Sequence, residues 1–315
     1  MDWLGTIKRG FFVGLETAWS LGKIIFPVTL IVGVLQYTVV IEWLVKLVSP
    51  LMKLFGLSGE AAIPLVLGNV LNLYAAIGAI LSLDLTVKEV FIIAMMLSFC
   101  HSLLVETSIA KKVGVSIWVA GGIRMLLAAF SAWVIHLVWR GGNERATYGL
   151  IPQSEEVTGW LEIAWNAIEH ASIGVFQLAA IVIPLMIGIQ WLREKQWLAA
   201  FSRWMRPFTR MLGMNENTST TFAAGILFGI SFGAGVLLQA VKEDGVKKRD
   251  LYLVFIFLST CHAVVEDTLI FVPLGIPVWP LLVIRLTLAI ILTMLVASAW
   301  KRITNSQGKE VRYEN

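Results

Sequence analysis

The sequence predicts an all-α polytopic membrane protein made of two inverted repeats, each with three transmembrane helices and one re-entrant hairpin. Composition gives the first reason: of 315 residues, 57% are hydrophobic and 15% charged, and the mean hydropathy is +0.79. Soluble domains of this length are far more polar. Second, apolar stretches near 20–41, 89–110, 115–139, 171–192, 251–272 and 277–299 each reach the roughly 20 residues a helix needs to cross about 30 Å of hydrocarbon. Third, one phrase occurs twice. Ser98-Phe99-Cys100-His101 returns as Ser259-Thr260-Cys261-His262, and in the same register Glu106 meets Asp267, Gly114 meets Gly275, Trp118 meets Trp279 and Arg124 meets Arg285. Both cysteines and two of the four histidines fall in it. The chain is a duplication.

Each copy reads in the same order. An amphipathic lead-in comes first, with Trp3, Leu4, Ile7 and Phe11 in one copy and Trp160, Leu161, Ala164 and Ile168 in the other. Lys8, Arg9 and Glu16 interrupt the first 18 residues, so these are not read as a cleavable signal peptide. A first span follows, then an amphipathic segment (42–55 and 197–212), a glycine-containing apolar stretch (61–82 and 222–242), and two further spans. The register is 161 residues at the repeated phrase but 157 upstream, where Pro27 meets Pro184 and Gly56 meets Gly213. Four extra residues in the second copy are expected within Met214–Thr221. The units are 3–139 and 160–299, joined by a polar external linker at 140–159 and followed by a cytoplasmic tail at 300–315. Tryptophans near segment ends, such as Trp43, Trp139 and Trp300, suit an interfacial belt.

Positive charge decides the topology. A fully crossing 222–242 would place Arg203, Arg206 and Arg210 on one side and Lys247, Lys248 and Arg249 on the other, against the positive-inside rule. A hairpin that dips and returns keeps both basic loops cytoplasmic. Three spans per copy then turn the second copy over. Matched loops carry opposite charge character, as inversion requires: Lys111-Lys112 answers to Val272-Pro273, and Asp84–Glu89 to the loop holding Lys247-Lys248-Arg249. Both termini are expected to be cytoplasmic. The net charge of +4 belongs to these loops and gives no reason to expect nucleic acid.

Several polar residues sit where hydrocarbon penalises them. The first hairpin tip offers Asn69 and Asn72, as helix caps or as amides facing a solute; the second offers Ser231 among glycines. Cys100-His101 and Cys261-His262 fall near mid-span. They are read as free thiols with histidines that pack, handle protons or, joined across the two copies, ligate a metal. Glu106 with Arg124, and Asp267 with Arg285, are expected to be structural ion pairs. Glu266 has no charged counterpart, since Val105 matches it, and is the leading candidate for an asymmetric functional carboxylate.

Gly68-Asn69-Val70-Leu71-Asn72 and Ser98 to Thr107 resemble the signature of the nucleoside-recognition, or gate-domain, membrane proteins. Related gate units occur in spore-maturation proteins and in the membrane part of ferrous-iron permeases. The resemblance implies a nucleoside-like solute. No phosphate-binding loop of the G-protein kind occurs in the sequence.

Inverted repeats with re-entrant hairpins are a transporter architecture, because broken helices present backbone groups at mid-membrane depth. The expectation is therefore a permease for a small polar solute in the bacterial cytoplasmic membrane, with Asn69, Asn72, Ser231, His101, His262 and Glu266 around the solute. A divalent-metal permease using the Cys-His pairs and a non-transporting assembly protein of the spore-maturation type are the alternatives. No resident cofactor is expected, and proton or cation coupling stays open. The expected partners are the bilayer and the solute, with homo-oligomerisation also open. No set of residues suggests an enzyme.

Overall fold

A computed structural model describes residues 3–35, 38–149, 159–194, 197–230 and 246–313. Among these, the only β-type pairing is one isolated bridge between Thr86 and Arg145. The helices are α1 (Trp3–Leu35), α2 (Val39–Lys53), α3 (Ala62–Val70), α4 (Leu73–Ile80), α5 (Val87–Phe99), α6 (Leu103–Lys112), α7 (Ile117–Val138), α8 (Trp160–Glu194) and α9 (Trp197–Met211). Then come α10 (219–230), α11 (Lys248–Thr260), α12 (Glu266–Leu269) and α13 (Val278–Tyr313). Among the described residues, five stretches are long and apolar enough to span a bilayer: Leu4–Leu35, Val87–Lys112 (α5 and α6 together), Ile117–Val138, Trp160–Gly188 and Val278–Arg302. The protein is an all-α, multi-pass membrane protein.

The structure corrects the sequence reading in three places. The lead-ins are not separate, because α1 and α8 run unbroken through Pro27 and Pro184 for 33 and 35 residues. That is about 50 Å each, well beyond the hydrocarbon thickness. Segments 89–110 and 251–272 are not continuous helices. Both halt at the repeated cysteine, where Cys100 (φ −136°) and Cys261 (φ −149°) turn extended. The next break residues, Ser102 (φ 46°) and Ala263 (φ 42°), are left-handed, a strained conformation for a residue with a Cβ. The four-residue insertion is also misplaced. Ser102 N–H donates to the Gly68 carbonyl and Ala263 N–H to the Gly225 carbonyl, so the 157 register still holds at 225. The extra residues lie between 225 and 248, where α11 already follows the 161 register of α5.

The chain forms two compact units. Residues Met1–Leu104, Met125–Lys195 and Val265–Leu281 make the first, and Val105–Arg124, Gln196–Val264 and Leu282–Asn315 the second. In the first unit α1 packs antiparallel on α8. A Cβ on Gly10 would lie 2.7 Å from the Ile187 Cα and one on Gly14 2.9 Å from the Ile183 Cα, so small residues four apart allow the backbones to touch. α3 and α4 fold back on each other, with Gly68 against Ala76. Thr29 of α1 donates to the Gly78 carbonyl of α4. The start of the linker is not free chain: Val87 and Lys88 donate to the carbonyls of Glu144 and Gly142, and Ala146 donates to Leu85.

The second unit has a core of α9, α10, α11 and α13 residues, with Phe208, Phe222 and Phe257 in mutual ring contact. The buried residues of α13 run at every fourth position (Leu281, Arg285, Ala289, Thr293, Ala297). Its exposed side is apolar, with Val283, Ile291 and Leu295 outward. α7 repeats this with Ala120, Arg124, Ala128 and Ala132 buried and Leu126, Phe130 and Trp133 exposed. Polar residues inward and apolar ones outward suit helices bathed in lipid.

Candidate functional site

Each helix break is built the same way. After α5 stops, the His101 ring turns back so that Nδ1 lies 2.7 Å from the Leu97 carbonyl; after α11, His262 Nδ1 lies 2.7 Å from the Leu258 carbonyl. A carbonyl only accepts, so Nδ1 carries the proton in both rings. The returning chain is pinned to the hairpin helix through Gly68 or Gly225, whose missing side chain makes room for Leu97 or Leu258. The expected Cys-His pairs are therefore helix-terminating elements rather than neighbours on a continuous helix.

The second unit gathers buried charge around one of these breaks. Glu106 Oε2 lies 2.9 Å from Arg124 Nη1, and the other oxygen lies 3.3 Å from His262 Nε2. All three residues are buried. The Glu106–Arg124 contact joins the two residues paired in the sequence. The contact to His262 was not anticipated; it joins the first copy to the second. The Nε2···Oε1 contact sets an imidazole beside a carboxyl group, and it is an ion pair only when His262 is protonated. Arg285 Nη2 donates to the His262 carbonyl at 3.1 Å. It thus satisfies backbone that the break takes out of helical bonding. Cys261 is buried in the apolar core of the second unit, against which Ile226 packs.

The first unit places its polar groups at the hairpin. Asn72 caps α4, its Oδ1 accepting from Ala75 N–H at 3.0 Å. Asn69 donates to the Leu65 carbonyl and accepts from Cys100 Sγ at 3.0 Å. Both amides are only half-buried, so one side of each still faces outward. Asp267 is buried in the first turn of α12. Ser231 lies outside the described residues.

Glu266 is the first residue of α12, and its Oε1 accepts from the Tyr74 hydroxyl at 2.6 Å. Tyr74 stands in the first turn of α4, just past the hairpin break. Two helix restarts, one from each copy, therefore meet through a phenol and a carboxylate. They border a small recess whose other walls are apolar: Leu178, Val182, Leu185 and Ile270. Sequence reasoning found Glu266 because its counterpart is Val105. Tyr74 was missed, although an aromatic hydroxyl two residues past a capping Asn at a hairpin tip is the available signal.

The nucleoside-recognition gate family matches the chain twice, at residues 18–116 and 175–277. The chain belongs to that family. The matched segments begin 157 residues apart and end 161 apart, the same two registers that the breaks display. The chain is also similar to the uncharacterized membrane protein YvoD of Bacillus subtilis (strain 168), with 60% identity over 303 residues, covering 96% of this chain and 97% of that protein. No solved structure matches significantly.

Proposed function

We propose that this gate-family membrane protein is a permease for a small polar, nucleoside-like solute, which binds where the Tyr74–Glu266 pair faces its recess. It sits in the bacterial cytoplasmic membrane as two inverted copies with both termini cytoplasmic, and catalyses no reaction. The observation that carries the reading is the meeting of two interrupted helices at a half-buried carboxylate. Irregular backbone and a carboxyl group at membrane depth are costly, and are tolerated where they line a polar path or a binding site. The carboxylate and phenol supply an acceptor and a donor for ribose hydroxyls, while Leu178, Val182 and Leu185 supply an apolar wall for a base. The antiparallel packing of the equivalent helices α1 and α8 supports oppositely oriented copies. The buried contact between two proton-exchanging groups, Glu106 and His262, supports coupling to a proton gradient.

The test is uptake of labelled nucleosides into proteoliposomes, with and without an imposed pH gradient. Uptake above that of empty liposomes, increased by the gradient, is the expected result. Uptake indistinguishable from empty liposomes under both conditions overturns the reading. A parallel arm with divalent cations decides whether the cargo is a metal.

A further inference from the structure

We propose that α9 is a binding site for the headgroup of an anionic phospholipid. This rests on the geometry of that helix alone and is independent of the transported solute. α9 has 15 residues, carries three arginines and is not among the stretches able to span a bilayer. Its surface divides into three strips at helical spacing. Ser202, Met205 and Thr209 are buried against the second unit. Trp197, Trp204 and Met211 form an exposed apolar strip, with Trp204 73% exposed. Arg203, Arg206 and Arg210 form an exposed basic strip beside it.

A helix with protein on one side, bare tryptophans on the second and arginines on the third matches a membrane interface. Indole rings settle at headgroup depth and guanidinium groups meet phosphates in bidentate fashion. Arg210 is engaged by Glu216, so Arg203 and Arg206 are the principal phosphate ligands. The basic surface continues past the helix. Arg249 Nη1 donates to the Gly213 carbonyl at 2.9 Å, which fixes the exposed Lys247 and Lys248 beside the end of α9. The partner is therefore an amphiphile with an anionic head, not a free anion: the apolar strip lies flush with the basic one.

The duplication supplies an internal control. In the 157 register Arg203, Arg206 and Arg210 answer to Lys46, Ser49 and Lys53 of α2, while Trp204 and Met211 answer to Leu47 and Leu54. α2 keeps the apolar strip and two of the three positive charges, as lysines, and has a serine where α9 has Arg206.

The experiment titrates detergent-solubilised protein with short-chain phosphatidylglycerol or phosphatidylcholine and counts bound lipids by native mass spectrometry. The parent should prefer phosphatidylglycerol, and excess inorganic phosphate should not displace it. The double variant Arg203→Gln, Arg206→Gln should bind phosphatidylglycerol about twenty-five-fold more weakly, taking about fivefold per basic residue at a membrane surface. Arg203→Lys with Arg206→Lys should keep most of the binding, and Lys46→Gln should lower it no more than about fivefold. A parent without headgroup preference, displacement by phosphate, or unchanged binding in the double Gln variant overturns the proposal. So does a double Lys variant as weak as the double Gln variant.

Discussion

The two copies share their backbone and differ in their chemistry. Gly56 and Gly213 both turn left-handed (φ 70° and 79°), as do Gly114 and Gly275 (φ 88° and 69°) and the strained pair Ser102 and Ala263. Both histidines fold back on a carbonyl at the same distance. Against this constancy, Asn69 becomes Ile226, Val105 becomes Glu266 and Ser49 becomes Arg206. The lesson is a division of labour. Gly68 and His101, kept as Gly225 and His262, hold both helix breaks, and the residues that differ are those assigned to the proposed site.

The largest effect expected is one of kind. If the copies are inverted, exposed positions Asp84 and Lys247, replaced singly by cysteine, should be labelled by an impermeant thiol reagent from opposite faces of the membrane. Labelling from one face breaks the comparison at its root.

Next is the shared ion pair. Glu106→Gln leaves Arg124 buried beside a neutral group and takes away the partner of His262. A loss of about 3–5 kcal/mol is expected. Adding Arg124→Gln should recover part of it in thermal unfolding, because the stranded charge is gone. Strictly additive losses would show that the 2.9 Å contact is not an energetic unit.

Smaller but more pointed are the breaks. Ser102→Val and Ala263→Val should each cost about 1–3 kcal/mol, because a β-branched residue resists the left-handed region. The glycine substitutions should be tolerated at both sites. If one copy alone shows the penalty, the two breaks are not equivalent.

Much of this organisation was legible in the sequence because membrane insertion limits what a chain can do. Polar residues in apolar segments must be paired or functional, so Glu106, Arg124 and Glu266 stood out. The positions of the helix breaks were not legible. Ser98 to Thr107 and Ser259 to Thr268 contain neither proline nor glycine, and their interruption depends on tertiary hydrogen bonds to Gly68 and Gly225. The fusion of the lead-ins with the first spans was hidden because Lys8, Arg9 and Glu16 break the apolar pattern of α1, although a helix can carry charge where it extends beyond the hydrocarbon. The His262–Glu106 contact joins copies that are far apart in the chain, and no local pattern encodes it.

The smallest expected effect lies at the end of the α1–α8 pair. Hydrogen bonds from Arg9, then Thr6 and Gln190, lower the Glu194 carboxyl from 4.5 to about 2. Because the folded value is depressed, its contribution is complete above about pH 4.5 and fades as pH falls toward 2. Glu194→Gln should flatten the acid limb of thermal stability in that window, and an unchanged acid limb would remove the clasp from the account.

The claim that divergent residues carry the solute is tested most directly at Glu266. Nucleoside uptake into proteoliposomes should be measured for the parent, Glu266→Gln and Tyr74→Phe, normalised to folded protein from size-exclusion profiles. Both variants should fold as the parent does. Glu266→Gln should lose about tenfold or more of its uptake, as expected when a charge-assisted hydrogen bond worth about 1.5–3 kcal/mol is lost, and Tyr74→Phe should lose less. Parent-like uptake by well-folded Glu266→Gln would contradict the account.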